Sequence, residues 1–89
     1  MTDVDPERQS MSVSYTDKQG QYLAFIYYYT KVNGYAPAEQ DMQRYFEVSA
    51  PAVHRMIVEL EKKALIQRTP RKPRSIEITL SRSELPDLK

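Results

Sequence analysis

Residues 49–80 read SAPAVHRMIVELEKKALIQRTPRKPRSIEITL, and this stretch decides the fold. Its first half carries apolar side chains at the spacing of a single helical stripe, namely Val53, Ile57, Leu60 and Ala64. Ser49 is a strong N-cap candidate for this helix, and Pro51 lies in the first turn, where a missing N–H costs least. Beyond it, residues 65–69 and 75–80 alternate between polar and apolar as strands do. The stretch therefore predicts a helix followed by a two-stranded hairpin.

Two helical patterns precede this stretch. Thr16 and Gln19 have the spacing of a capping box, so the first helix is predicted to start there, and Asn33 and Gly34 are predicted to end it. Its broad core-facing side combines Tyr22, Leu23, Phe25, Ile26, Tyr29, Thr30, Val32 and Asn33. The face opposite holds Gln21, Ala24 and Lys31. A second helix is predicted over residues 38–46, with Met42, Tyr45 and Phe46 facing the core.

Three helices, the second and third joined by a tight turn, and then a hairpin make the winged helix-turn-helix arrangement. The fold class is mainly α with a small β-hairpin. We expect a folded domain over residues 15–80, because residues 1–14 are too polar to offset the entropy of ordering and read as a disordered tail. Residues 81–89 are expected to form a C-terminal tail.

Composition excludes several function classes. The chain has 89 residues, no Cys and one His, which leaves no disulfide, thiol nucleophile or Cys-ligated zinc, and we expect neither a metal nor a cofactor. No pair of carboxylates, no nucleophile with a base and no glycine-rich phosphate loop occurs at useful spacing, so an enzyme is not expected. The longest apolar run, residues 22–29, is far too short for a bilayer span. We expect a cytoplasmic protein with no membrane or small-molecule partner.

The charge is unevenly distributed. Residues 1–53 carry four basic and seven acidic side chains, residues 54–82 carry eight and three, and residues 83–89 carry one and two. The net charge of +1 therefore hides a basic segment over the third helix and the hairpin. That distribution favours a nucleic-acid partner, whereas the total alone argues against one.

In this arrangement the third helix enters the major groove of double-stranded DNA, and the hairpin, or wing, touches the flanking backbone or minor groove. The candidate reading residues on the third helix are Ser49, Ala52, His54, Arg55 and Glu59. The candidate wing contacts are Arg68, Arg71, Lys72 and Arg74. His54 is either a base or phosphate contact or a solvent-facing residue, and the wing cations are either phosphate contacts or a solvated hairpin tip. With no suitable partner nearby, His54 is not expected to bind a metal.

Several motifs resemble the N-terminal DNA-binding domain of LexA-type repressors. They are Thr16-x-x-Gln19, Asn33-Gly34-Tyr35-x-Pro37, Ser49-x-x-x-Val53-His54, Leu60-Glu61-Lys62-Lys63-Ala64-Leu65-Ile66 and Lys72-Pro73-Arg74-Ser75-Ile76-Glu77-Ile78. The resemblance covers residues 15–80 and implies sequence-specific DNA binding by a transcriptional regulator, in this family a repressor. The run over residues 72–78 is the most specific of these motifs.

The chain also departs from that family. LexA-type proteins carry a C-terminal self-cleaving protease domain, which also supplies most of their dimer contacts. Because the sequence ends at Lys89, we expect no autoproteolysis, and the family's dimerisation does not carry over, although a homodimer or a protein partner stays possible. Ala38 stands where the family usually has a capping Thr, and Glu47 where it has a Gly. Pro51, His54 and Arg55 alter the residues that read bases, so the target sequence does not carry over.

Tyr27 and Tyr28 support an alternative from another class. Both fall on the side of the first helix away from its main apolar stripe, and adjacent exposed aromatics are enriched at protein interfaces. They indicate a surface for self-association or a protein partner, or else Tyr27 is half-buried against a tail. On this alternative the domain is a winged-helix interaction module with weak or no DNA binding.

Overall fold

The computed structural model describes residues 14–89. Its elements are α1 (Asp17–Asn33), α2 (Glu39–Phe46), α3 (Ala50–Lys62), β1 (Ile66–Gln67), β2 (Glu77–Ile78) and a 3₁₀ turn (Arg82–Glu84). The order confirms the predicted winged helix-turn-helix fold, with α2 and α3 as its two central helices. The tail predicted over residues 1–14 lies, except for Ser14, outside the described residues.

Local sequence signals set the helix ends. Thr16 and Gln19 form the predicted capping box: the Thr16 hydroxyl accepts from the Gln19 amide at 3.1 Å, and Gln19 Oε1 accepts from the Thr16 amide at 3.0 Å. Gly34 ends α1 in the left-handed conformation, with φ at 81°. The Ser49 hydroxyl caps α3 by accepting from the Ala52 amide at 3.3 Å.

The turn between α2 and α3 is built without glycine. At the opposite end of α2, before Glu39, Ala38 has no side-chain acceptor to cap the helix, and the Asp41 carboxylate instead accepts from the Ala38 amide at 2.8 Å. Glu47 ends α2 with φ at 56°, a left-handed conformation that glycine adopts more easily. The turn keeps α2 and α3 in direct contact, and this contact positions α3.

The core lies between the three helices and the hairpin. Its fully buried large side chains are Leu23, Ile26, Met42, Val53, Ile57, Leu60 and Ile66. The predicted stripe of α3 is confirmed except at Ala64, which lies beyond the end of the helix at φ 61° and is exposed. Other predictions fail too: the last turn of α1 is exposed at Thr30, Asn33 and Val32, the last of them 80% exposed. Tyr45 is 44% exposed although its ring packs against Phe25.

The strands are shorter than predicted. Ile66 pairs with Ile78 and Gln67 with Glu77, whereas the alternating pattern predicted strands over residues 65–69 and 75–80. Pro70 and Pro73 cannot donate to a ladder, and the chain turns between them. We call the hairpin over residues 65–80 the wing and residues 70–74 its tip.

The segment treated as a C-terminal tail packs on α1. The Tyr15 hydroxyl donates to the Glu84 carbonyl at 2.6 Å, and Gln21 exchanges hydrogen bonds with the backbone of Asp87 and Lys89. Leu85 and Leu88 pack against the core. This segment covers the side of α1 that the sequence pattern left to solvent, and Ala24, predicted on the face opposite the core, is fully buried.

Candidate nucleic-acid interface

The outer face of α3 presents polar side chains, as predicted. His54, Arg55 and Glu59 are exposed, and so is Ser49 at the N-terminal end, while Ala52 is half-buried between them. Because Ser49 uses its oxygen to cap the helix, its hydroxyl proton remains available to an external acceptor. The structure therefore places these five predicted residues on one accessible surface of α3.

A chain of polar contacts joins that surface to the base of the wing. Glu39, at the start of α2, has a carboxylate oxygen 3.5 Å from His54 Nδ1 and 3.7 Å from Arg68 Nη1. The guanidinium of Arg68 also pairs with Glu61 on α3 at 2.9 Å. The N-terminal parts of α2 and α3 and the start of the wing thus meet at one place. Both carboxylates at this place, those of Glu39 and Glu61, compensate the charge of Arg68.

All three cations of the wing tip are exposed, but only Arg74 is paired with an acid in residues 14–89; Arg71 and Lys72 are the other two. Within residues 14–89, neither side chain has an acidic residue at ion-pair distance. Arg71 adopts φ 64°, and the Lys72 amide closes the turn by donating to the Thr69 carbonyl at 3.1 Å. These two side chains are accessible to an anionic partner.

Arg74 points back into the fold. Its Nη1, which carries two N–H groups, lies within hydrogen-bond distance of three acceptors: the Tyr29 hydroxyl at 3.2 Å, the Ala36 carbonyl at 3.1 Å and Asp41 Oδ2 at 3.1 Å. Its guanidinium also lies over the ring of Tyr35, 4.8 Å from the centroid. The sequence predicted four wing contacts for DNA, and the structure turns this one toward α1 and α2.

The Asp41 carboxylate is the centre of that arrangement. Its side chain is 9% exposed, and its other oxygen pairs with Arg44 at 2.7 Å. Burial by itself raises the pKa of Asp41, but the hydrogen bond from the Ala38 amide and the charges of Arg74 and Arg44 outweigh it and lower the pKa. Asp41 is therefore held ionised, and its charge compensates the guanidinium of Arg74.

Sequence reasoning missed the partners of Arg68 and Arg74. Glu39 and Asp41 lie in the first turn of α2, where acidic residues are common simply because they suit the helix dipole. Only the position of Asp41 three residues after Ala38 carried a further signal, since this is capping-box spacing. Nothing local pointed from either acid to the wing, which is more than 25 residues away.

Tyr27 and Tyr28 are half-buried on α1. Their rings meet edge to face with centroids 5.1 Å apart, and the Tyr28 hydroxyl accepts from Arg82 at 3.3 Å. Tyr27 lines a shallow cleft between α1 and β2, with Lys31 above its ring. Both tyrosines lie beside β2 or the C-terminal segment, away from the surface formed by α3 and the wing tip.

Two chemical possibilities find no support in residues 14–89. No group of three or more His, Asp or Glu side chains converges there as metal ligands do. No helix in the same part of the chain has both the length and the apolar character required to cross a bilayer.

Comparisons with known proteins agree with this geometry. The family described as LexA DNA binding domain matches residues 12–75. Among similar proteins, a LexA repressor of Thermosipho melanesiensis is 38% identical over 63 residues, which are 71% of this chain and 32% of the relative. A LexA repressor of Clostridium perfringens is 41% identical over 64 residues, 71% of this chain and 32% of the relative. A LexA repressor of Lactiplantibacillus plantarum is 40% identical over 70 residues, 78% of this chain and 33% of the relative. The chain spans about a third of the length of these relatives.

Proposed function

The chain belongs to the LexA DNA binding domain family, and from that membership we propose that it binds double-stranded DNA sequence-specifically as a transcriptional regulator. In this proposal α3 lies in the major groove and the wing contacts the flanking backbone or minor groove. A bound domain represses by occupying a site that the transcription machinery needs. The relatives named as repressors support repression rather than activation.

One observation carries the proposal. The contacts of Glu39 with His54 and Arg68 bring the accessible face of α3 and the base of the wing together. Arg55 on that face and the two tip cations that have no acidic partner in residues 14–89, Arg71 and Lys72, then serve different purposes. Arg55 can reach base edges, where an arginine pairs best with guanine, while the tip cations neutralise phosphates.

A salt titration tests the phosphate contacts. We expect the affinity for a random duplex, measured by fluorescence anisotropy, to fall steeply with salt because bound cations release counterions. Arg71→Ala and Lys72→Ala should each reduce the slope of log affinity against log salt by about 0.9. Lys31→Ala removes the same charge from α1, where Lys31 lies over Tyr27, and should leave the slope unchanged.

Selection from a random duplex pool tests sequence specificity. A defined preferred site that Arg55→Ala relaxes at one or two base pairs supports base reading by α3. Two symmetric half-sites about one helical turn apart in the selected duplexes would indicate that two copies bind together. An undetectable or salt-independent interaction with DNA contradicts the proposal.

The alternative, an interaction module built on Tyr27 and Tyr28, is not favoured. The family match points to DNA, and these tyrosines pack against each other and against Arg82. Their half-burial accounts for aromatic side chains on that side of α1.

A further inference from the structure

We propose that Arg74 is a positioning residue, which fastens the wing to the start of α2 so that Arg71 and Lys72 are held where DNA passes. The inference rests on the proposed function, because a positioned wing matters only if the wing contacts DNA. It assigns Arg74 a role different from that of a cation offered to phosphate. We call the contacts of Arg74 with Asp41, Ala36 and Tyr29 the wing anchor.

The wing anchor joins three parts of the chain at a single nitrogen atom. Arg74 Nη1 meets a carboxylate from α2, a carbonyl from the link before α2 and a hydroxyl from α1, all within 3.2 Å. The ring of Tyr35 covers the guanidinium. A guanidinium held by several acceptors and an aromatic face keeps a fixed direction. Because the guanidinium is planar and rigid, little conformational freedom is lost for each hydrogen bond that it forms.

The wing needs such a contact because its own hydrogen bonds are few. The strands pair at two positions only, Ile66 with Ile78 and Gln67 with Glu77. Beyond them, the Thr79 amide donates to the Leu65 carbonyl and the Lys72 amide to the Thr69 carbonyl, both at 3.1 Å. The side chain of Ser75 also bridges to the amide and carbonyl of Thr69. A two-stranded hairpin this short has little stability of its own.

The backbone conformation of the wing tip also needs stabilising contacts from outside the wing. Arg71 and Arg74 adopt φ values of 64° and 56°, a left-handed conformation that is unfavourable for both side chains. Such conformations persist where surrounding contacts over-determine them. The wing anchor supplies contacts of this kind at Arg74, three residues from Arg71.

Removing Arg74 from the anchor to reach a phosphate has a cost. Asp41 is almost wholly buried, and a buried carboxylate is unfavourable unless its charge is compensated. Arg44 and the Ala38 amide would remain as its partners, but the Oδ2 atom would lose the guanidinium that it accepts from. Arg74 therefore stays in place, although it is partly exposed, while Arg71 and Lys72, which have no acidic partner in residues 14–89, meet the DNA.

The anchor is tested first on the free protein. Steady-state ¹⁵N-{¹H} nuclear Overhauser effects of the Arg71 and Lys72 amides should fall in Arg74→Ala, because the wing tip becomes mobile. Arg44→Ala is the matched control: it removes the other guanidinium from the same carboxylate but touches no part of the wing, and should leave these values unchanged. A wing tip that is equally rigid in both variants overturns the proposal, whatever the protein does with DNA.

DNA binding then separates positioning from direct contact. Arg74→Ala should weaken binding to the selected duplex about tenfold in the wild type, but less than about twofold where Arg71→Ala and Lys72→Ala are already present, because no wing contact is left to position. A direct phosphate contact predicts equal losses in the two backgrounds. Equal losses therefore overturn the proposal.

The sign of the effect at Asp41 gives a second criterion. Asp41→Asn removes a negative charge and sets Arg74 free, so direct contact predicts tighter binding, whereas the wing anchor predicts weaker binding. Thermal unfolding shows whether each variant is folded at the temperature of the binding measurements. If Asp41→Asn is unfolded at that temperature, the Arg74→Ala measurements alone decide between positioning and direct contact. If the wild type fails to bind DNA, the proposed function fails, and the measurements on the free protein still decide whether the anchor exists.

Discussion

Four residues other than glycine adopt left-handed backbone conformations within residues 14–89: Glu47, Ala64, Arg71 and Arg74. The first two follow α2 and α3, at the position where helices most often carry glycine. The other two shape the wing tip. Each such residue costs about 1–2 kcal/mol relative to its preferred conformation. At the wing tip the strained backbone shapes the proposed DNA contact. At the helix ends it serves no such purpose, so a residue that relieves the strain there should stabilise the protein.

Glu47→Gly should stabilise the protein. The side chain of Glu47 is exposed, and glycine relieves the left-handed strain, so we expect the free energy of unfolding in urea to rise by about 0.5–1 kcal/mol. Glu59→Gly is the control, because the same exchange in the middle of α3 should lower that free energy by about 1 kcal/mol. Changes of the same sign at both positions would contradict the argument from φ.

Asp41 should make stability depend on pH. Because its pKa in the folded protein is lowered, its contribution is fully present above its unfolded pKa of about 3.9 and is lost as the pH falls through the folded value. The destabilisation caused by Asp41→Asn should therefore be larger at neutral pH than in acid below the unfolded pKa. Urea unfolding of the wild type and of Asp41→Asn at several pH values measures the difference in their free energies of unfolding. A difference independent of pH would show that the folded and unfolded pKa values are the same.

Among the elements, α2 and α3 follow their sequence patterns most closely. The second helix was predicted over residues 38–46 and runs Glu39–Phe46, and Ser49 caps α3 as expected. The wing departs further, because Pro70 and Pro73 end its pairing early. These outcomes depend on interactions between residues close in sequence, which a pattern can reveal.

The first helix departs most in its burial. A helix with one buried face should expose the opposite one, yet Gly20 and Ala24 are buried as well. The reason is the C-terminal segment, which packs on that side through residues 84–89. A pattern read along α1 alone does not contain the segment that covers it.

Gly20→Ala tests this packing. In an exposed helix the exchange stabilises by about 1 kcal/mol, but here an added Cβ would lie 2.8 Å from the Tyr15 ring and 3.0 Å from Pro86. We expect the free energy of unfolding to fall by about 1 kcal/mol, since the ring and the C-terminal segment must shift. In a Tyr15→Ala background the same exchange should cost less or stabilise. An equal effect in both backgrounds would contradict the close contact with Tyr15.

For the whole molecule, the distribution of charge is more informative than its total. Residues 54–82 carry a net positive charge, and the fold divides those cations into two groups. Arg68 and Arg74 compensate acids of α2 and α3, which joins the wing to the helices. The other six have no acidic partner in residues 14–89. Of these, Lys63 donates to Gln19 and Arg82 to Tyr28, whereas four remain for an anionic surface: Arg55, Lys62, Arg71 and Lys72. The same basic segment therefore contributes both to the fold and to the proposed interface.

The sequence by itself determined the three helices, their caps, the apolar stripe of α3 and the basic character of the wing. All of these follow from residues within a few positions of each other, whose spacing is visible along the chain. Tertiary structure decided which wing cations are paired with acids and what covers the far side of α1. The physical reason is distance in sequence: Arg74 meets Asp41 across 33 positions and Tyr15 meets Glu84 across 69. Such pairings depend on how the elements pack, and no local pattern records them.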